Sequence, residues 1–274
     1  MGRTVWYPGH MAKGRRQLEG LLDALDLWIE VRDARAPHLT SSPFMEAVKG
    51  LNRWVVLSRA DLADPAVTDL WVKHLRSKGV PCWALDARKQ APSAMMRQIR
   101  SLAPAHREVR LAVVGVPNVG KSALLNHMIG RSSAKVGSMP GVTRGVSWFR
   151  GDGIMIVDSP GVLDPRSGAL VHRRLAWLNA VKGAVVSSPV DLAADCLDCL
   201  SRLGLLRDIM SHWGVEVEDR PCHEILGAVA ERLGKRLKGG VLDLDGAAKA
   251  FLEAFASGRL GRVSLEVPGR PLVP

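Results

Sequence analysis

The sequence predicts an α/β domain, a mainly parallel sheet with helices on both faces, followed by a small all-helical domain. Three observations carry this. Apolar strand-like runs at 26–32, 53–58, 81–85, 110–115 and 153–158 alternate with helical patterns near 43–49, 65–78, 91–103 and 121–129. After about residue 170 no comparable strands follow, and helical spacing fills 170–182, 192–211, 223–234 and 246–256. The chain has 274 residues, 47% of them hydrophobic, which is enough to bury a sizeable core in one large domain or two ordinary ones.

Each element has its own reason. Residues 11–25 read as an amphipathic helix, with Met11, Leu18, Leu21, Leu22 and Leu25 on one side and Lys13, Arg15 and Arg16 on the other. Val171, Leu175, Leu178 and Val181 mark the first of the later helices, and Gly258 is placed to stop the last. The expected division is 1–175 for the α/β domain, with its N-terminal helix, and 176–274 for the helical domain.

Composition excludes several classes. No apolar run approaches the roughly 18 residues of a membrane span, and the N-terminal residues have no apolar signal-peptide core. The expectation is a cytoplasmic protein with no membrane partner. The formal charge is +11, and residues 1–195 carry all of it, since residues 196–274 hold 11 cations and 11 carboxylates. Such an excess fits a polyanionic partner, foremost nucleic acid, and equally fits a basic solvated surface. Within 196–274, Arg232, Lys235, Arg236 and Lys238 form a local basic stripe open to the same two readings. Cys196 and Cys199 form C-x-x-C, followed by Cys222 and His223. Their spacing in a helical pattern favours buried thiols over zinc.

The strongest motif is Gly115-Val-Pro-Asn-Val-Gly120-Lys121-Ser122, a G-x-x-x-x-G-K-[ST] phosphate loop between a strand and a helix. Its backbone amides, including those of Asn118, Val119, Gly120 and Ala123, suit phosphate oxygens. Lys121 is expected to reach the β- and γ-phosphates, and Ser122 to hold Mg²⁺. Asp158-Ser-Pro-Gly161 follows a further strand, 36 residues after Ser122. Asp158 is expected to hold Mg²⁺ through water, and the Gly161 amide to meet the γ-phosphate. Thr143, in a glycine-flanked segment between the two motifs, completes the Mg²⁺ set or is an ordinary turn residue.

A base-reading element appears upstream of the phosphate loop, not downstream. After strand 53–57 stands Ser58-Arg59-Ala60-Asp61, whose Asp61 is positioned to accept hydrogen bonds from guanine N1 and N2, with the Arg59 stem against the base. Asp86-Ala87 takes the place of an S-A element whose backbone amide meets guanine O6. The order is base reading, phosphate loop, switches.

That order, with Trp6-Tyr7-Pro8-Gly9-His10-Met11-Ala12-Lys13, Asp33-Ala34-Arg35, Lys238-Gly239-Gly240 and Ser257-Gly258-Arg259-Leu260-Gly261-Arg262, resembles the ribosome biogenesis GTPase A (YlqF-type) family of circularly permuted P-loop GTPases. The resemblance runs through nearly the whole chain. It implies a monomeric, Mg²⁺-dependent enzyme that binds GTP and GDP and acts in late assembly of the large ribosomal subunit. Its helical domain would contact ribosomal RNA of the subunit precursor. Val162 stands where Ras-like enzymes carry a water-positioning Gln, and the resemblance offers His10 as the catalytic group, with a structural histidine as the other reading. It also assigns Asn118 to K⁺. Loss of the γ-phosphate is expected to release residues 140–147 and 159–168 and tilt the helical domain.

The family pattern Asn-Lys-x-Asp is Ser-Arg-Ala-Asp here, and Ser-Ala is Asp-Ala. Loss of the asparagine is expected to remove a bond to the base edge, worth about 0.5–1.5 kcal/mol, and a brace to the phosphate loop. The alternatives are therefore an RNA-binding assembly factor with weakened or lost hydrolysis, and an ATPase, which Asp61 and Ala87 disfavour.

Overall fold

The computed structural model describes residues 14, 16–47, 50, 52–86, 93–129, 134–136, 147–159, 161, 163, 167–182, 186–217 and 220–272. Seven strands form one sheet among them: β1 (Leu27–Asp33), β2 (Arg53–Ser58), β3 (Cys82–Ala84), β4 (Val109–Val114), β5 (Ala134–Val136), β6 (Ser147–Gly151) and β7 (Ile154–Asp158). Their order is β3-β2-β1-β4-β7-β6-β5. Strands β3, β2, β1, β4 and β7 run parallel, and β6 and β5 add an antiparallel margin. The five parallel strands are those the sequence predicts. The antiparallel pair is not among them.

Around these strands lie α1 (Pro43–Ala47), α2 (Pro65–Ser77), α3 (Ser93–Ser101) and α4 (Lys121–Ile129). Asp64 starts α2 by accepting the amides of Ala66 at 2.7 Å and Val67 at 3.1 Å, with Pro65 at the first helical position. Residues 16–19 are helical, and Leu18 and Leu21 pack with Trp28, Phe44, Met45, Ala112, Val114, Trp148, Met155 and Val157. A second cluster joins Val55 and Leu57 of β2 to Trp71 and Leu75 of α2. Every residue of β1 is buried, as a central parallel strand requires.

Beyond Ser167 the chain is helical: α5 (Ala169–Trp177), α6 (Pro189–Arg202), α7 (Leu206–Ser211), α8 (Cys222–Arg232) and α9 (Leu244–Ser257). Gly204, at φ 71°, separates α6 from α7 within what the periodicity reads as a single helix. Ser188 and Asp243 cap α6 and α9, and Gly258 ends α9 in the left-handed conformation. Cys196 and Cys199 are buried free thiols on α6, and burial pushes both above their ordinary value. No described helix is long and apolar enough to cross a membrane.

Two compact units emerge. Ser167–Leu265 forms one, while the described residues before Ser167 form the other together with Glu266–Leu272. The expected division at 175/176 falls inside α5, and 266–272 belongs to the α/β unit rather than the helical one. The reason is a buried carboxylate. Glu266 is 2% exposed and accepts the amides of His38 at 2.7 Å, Leu39 at 3.2 Å and Leu272 at 3.0 Å. Trp71 Nε1 donates to the Glu266 carbonyl at 3.1 Å. Burial pushes the Glu266 carboxyl above its ordinary range, against the pull of these amides. Glu266→Ala leaves three backbone donors without an acceptor, so a loss of about 3 kcal/mol of unfolding free energy is expected. Urea unfolding at equilibrium measures it; a loss below about 0.5 kcal/mol would mean that the carboxylate does not hold the segment.

Candidate nucleotide site

Parallel strands bring their C-terminal ends to one edge of a sheet, where ligands of α/β folds bind. At this edge β1 ends at Asp33, β2 at Ser58, β3 at Ala84, β4 at Val114 and β7 at Asp158. The register fixes their heights: Asp33 pairs with Ser58, and Val113 with Asp158. Segments far apart in sequence therefore converge.

The loop after β4 turns tightly against β1. Gly115 has φ 154°, and a Cβ there would lie 2.5 Å from the Val31 carbonyl oxygen. Asn118 sits in the left-handed region at φ 53°, and Val119 is 2% exposed. Lys121, Ser122 and Ala123 form the first turn of α4. Lys121 is 8% exposed, and its Nζ donates to the carbonyls of Val116 at 2.8 Å and Gly115 at 3.3 Å, closing the loop upon itself.

The turn after β7 meets this loop. A Cβ on Gly161 would lie 2.8 Å from Pro117 Cα, so glycine is what lets the D-x-x-G turn approach the phosphate loop. Ser159 Oγ donates to the Val113 carbonyl at 2.6 Å and ties the same turn to β4.

The turn after β2 meets it from the other side. Ser58 Oγ lies 2.5 Å from the Val119 carbonyl oxygen and 3.0 Å from that of Arg32. Arg59, left-handed at φ 54°, donates from one terminal nitrogen to the Asn118 carbonyl at 2.6 Å and from the other to Asp33 Oδ2 at 3.2 Å. The expected loss of the brace is thus corrected: Ser58 and Arg59 both reach the phosphate loop. Asp61 lies in a short 3-10 turn, Ala60–Leu62, and the Ala60 amide donates to the Leu85 carbonyl at 3.1 Å, which sets this turn beside Asp86.

Asp33 is the group that sequence reading had not assigned to the site. It is 1% exposed, and Arg35, also fully buried, donates to both of its carboxylate oxygens. Burial pushes the Asp33 carboxyl up, but Arg35 and Arg59 outweigh that and hold it below the ordinary carboxylate range. The signal in the sequence is a charged Arg32-Asp33 pair closing a strand whose only other charged residue is Glu30.

His10, Ala87 and Thr143 lie outside the described residues. So does Val162. Asp158 is placed by its backbone at the end of β7. Among the described residues no group of three or more His, Cys, Asp or Glu side chains gathers as a metal site. The architecture brings together Ser58, Arg59, Asn118, Val119, Gly120, Lys121, Ser122 and Gly161, with Asp61 and Asp86 on the neighbouring turns after β2 and β3.

With this geometry in view, the relatives are informative. Residues 110–222 match the family described as 50S ribosome-binding GTPase. The Bacillus cereus ribosome biogenesis GTPase A is 31% identical over 96% of this chain and 93% of its own. The chain belongs to the ribosome biogenesis GTPase A family, and it is a GTPase. The mitochondrial ribosome-associated GTPase 1 of Mus musculus is 33% identical over 98% of this chain and 91% of its own. GNP-bound YlqF from T. maritima superposes with a TM-score of 0.65 at 25% identity, covering 94% of this chain and 99% of that one. A GDP-bound structure of TM YlqF gives 0.66, covering 92% and 99%.

If Gly161 is required for the approach to Pro117, Gly161→Ala must displace one of two packed turns. GTP turnover is expected to fall about tenfold, with the melting temperature of the nucleotide-free protein within about 3 °C of wild type. Phosphate-release kinetics measure it, and unchanged turnover would sever the D-x-x-G turn from catalysis.

Proposed function

We propose that this GTPase is an assembly factor for the large ribosomal subunit whose GTP state governs its binding to rRNA of the subunit precursor. One observation supports this reading above the others: the base-reading turn and the D-x-x-G turn both contact the phosphate loop, in a chain whose relatives are named for ribosome biogenesis. In this reading Asp61, with Asp86 and Ala87 beside it, recognises guanine. The amides of Asn118 to Ala123 and of Gly161, with Lys121, hold the phosphates.

Ser122, Thr143 and Asp158 would hold Mg²⁺. The donor set fits: a hydroxyl at the start of α4 and a carboxylate-bearing residue ending the strand beside β4 are hard oxygen ligands. Bound there, Mg²⁺ neutralises charge on the β- and γ-phosphates. The Asn118 side chain would contribute to a K⁺ site, its main-chain carbonyl being taken by Arg59. His10 would orient the attacking water. The protein acts in the cytoplasm as a monomer.

RNA contact is assigned to the helical domain. Between α8 and α9 a small hairpin closes through the Arg236–Leu242 bridge and exposes Lys235, Arg236, Lys238, Leu237 and Val241. Residues 232–242 hold four cations and no carboxylate, while the rest of 196–274 holds seven cations and eleven carboxylates. The reading with decayed hydrolysis loses its main support, because the altered Ser58-Arg59 pair still grips the phosphate loop.

Two measurements test the proposal. GTP hydrolysis should be slow alone, rise with large ribosomal subunits, and rise further in K⁺ over Na⁺, with ATP ineffective. Particle-independent turnover would separate the enzyme from ribosome assembly. Lys235→Ala with Lys238→Ala should flatten the salt dependence of rRNA binding by about 1.4–1.8 units of log–log slope, since each phosphate contact contributes about 0.7–0.9. An unchanged slope would place the RNA contact elsewhere.

A further inference from the structure

The charged groups at the end of β1 do more than neutralise one another. Arg35 already satisfies Asp33: its backbone amide and Nε both donate to Oδ1 at 3.0 Å, and a terminal nitrogen donates to Oδ2 at 2.9 Å. A second cation is not needed to balance the carboxylate. Yet Arg59 also places a terminal nitrogen on Oδ2, at 3.2 Å, and extends its other one to the Asn118 carbonyl.

Geometry shows what that second cation can do. In a trans peptide the carbonyl of one residue and the amide of the next point in opposite directions. Arg59 holds the carbonyl of Asn118, and Ser58 holds that of Val119. Two consecutive peptide planes are thereby fixed by two consecutive residues. Their amides, on Val119 and Gly120, are turned to the opposite side, away from β2. Asn118 and Arg59 are both non-glycine residues in the left-handed region, a conformation that persists only where contacts enforce it.

We propose that Asp33 is a positioning residue for nucleotide binding. It holds the Arg59 guanidinium, and Arg59 with Ser58 aims the Val119 and Gly120 amides at the phosphates. The planar fork of arginine suits a bridge between a carboxylate and a carbonyl, where lysine offers a single nitrogen. The proposal rests on the reading of Gly115–Ser122 as the phosphate cradle, and it adds a buried anchor that contacts neither base nor phosphate.

The test uses the full chain with GDP and guanosine as the two probes. Arg59→Met keeps the unbranched apolar stem and removes the guanidinium; Asp33→Asn keeps the volume and removes the charge. Each is expected to weaken GDP about tenfold and leave guanosine within about twofold, because the amides serve the phosphates and not the base. The double variant should be no weaker than either single one, as expected for two residues acting through one contact. Melting temperatures without nucleotide report folding separately. Unchanged GDP affinity in Arg59→Met, equal losses for GDP and guanosine, or additive losses in the double variant would each overturn the proposal. Should Asp33→Asn fail to fold, the GDP-to-guanosine comparison in Arg59→Met still decides. Failure of the wild-type chain to bind GDP would instead overturn the phosphate-cradle reading itself.

Discussion

The segment that follows β1 is folded around three buried carboxylates. Glu30 accepts the Ser42 amide at 2.6 Å, Asp33 accepts the Arg35 amide at 3.0 Å, and Glu266 accepts the amides of His38 and Leu39. Each carboxylate is compensated in its own way. Burial pushes Glu30 up, but Arg32 and Arg53 hold it below its ordinary range, as Arg35 and Arg59 do for Asp33. Glu266 has three amides and the neighbouring His38 to set against its burial, with no arginine beside them in that balance, and its carboxyl rises. A buried charge without such partners is strongly destabilising, so these contacts constrain where the segment can lie. Thr40 completes the arrangement by accepting the Asp33 amide at 2.9 Å and donating to the Ala36 carbonyl at 2.7 Å. The segment between β1 and α1 is thus held by directional bonds as well as by packing.

This constraint explains how a permuted chain order builds the same edge. A parallel sheet is indifferent to which strand comes first, provided that each ends at the right height. Here β1 and β2 precede the phosphate loop, and their ends are tied to it after the fact through Asp33, Ser58 and Arg59. The helical unit, Ser167–Leu265, interrupts the α/β unit in sequence, and the chain then returns to the α/β unit at Glu266. The insertion therefore has two covalent attachments. One follows the D-x-x-G turn, and the other is bonded to the carboxylate-held segment after β1.

The sequence revealed what local chemistry determines. Five parallel strands stood out as short runs dominated by apolar residues, and the phosphate loop because its glycines and lysine occupy fixed offsets. Strands β5 and β6 were hidden for the opposite reason. Ala134–Val136 is three residues long, and Ser147–Gly151 mixes Trp and Phe with Ser, Arg and Gly, so neither carries a period that stands above the background. The return of 266–272 was equally hidden. It depends on a glutamate finding amides 228 and 227 residues away, which no local pattern encodes.

The base-reading turn shows the limit of judging a site by residue type. Asparagine and lysine were absent, and a brace was expected to be lost with them. What the phosphate loop requires, however, is two donors directed at two consecutive carbonyls, and a serine hydroxyl with an arginine fork can meet that requirement. The arginine does so because Asp33 anchors its other terminal nitrogen. A substitution that looks like decay beside the motif alone is accommodated by a partner 26 residues upstream. The two positions have to be read together.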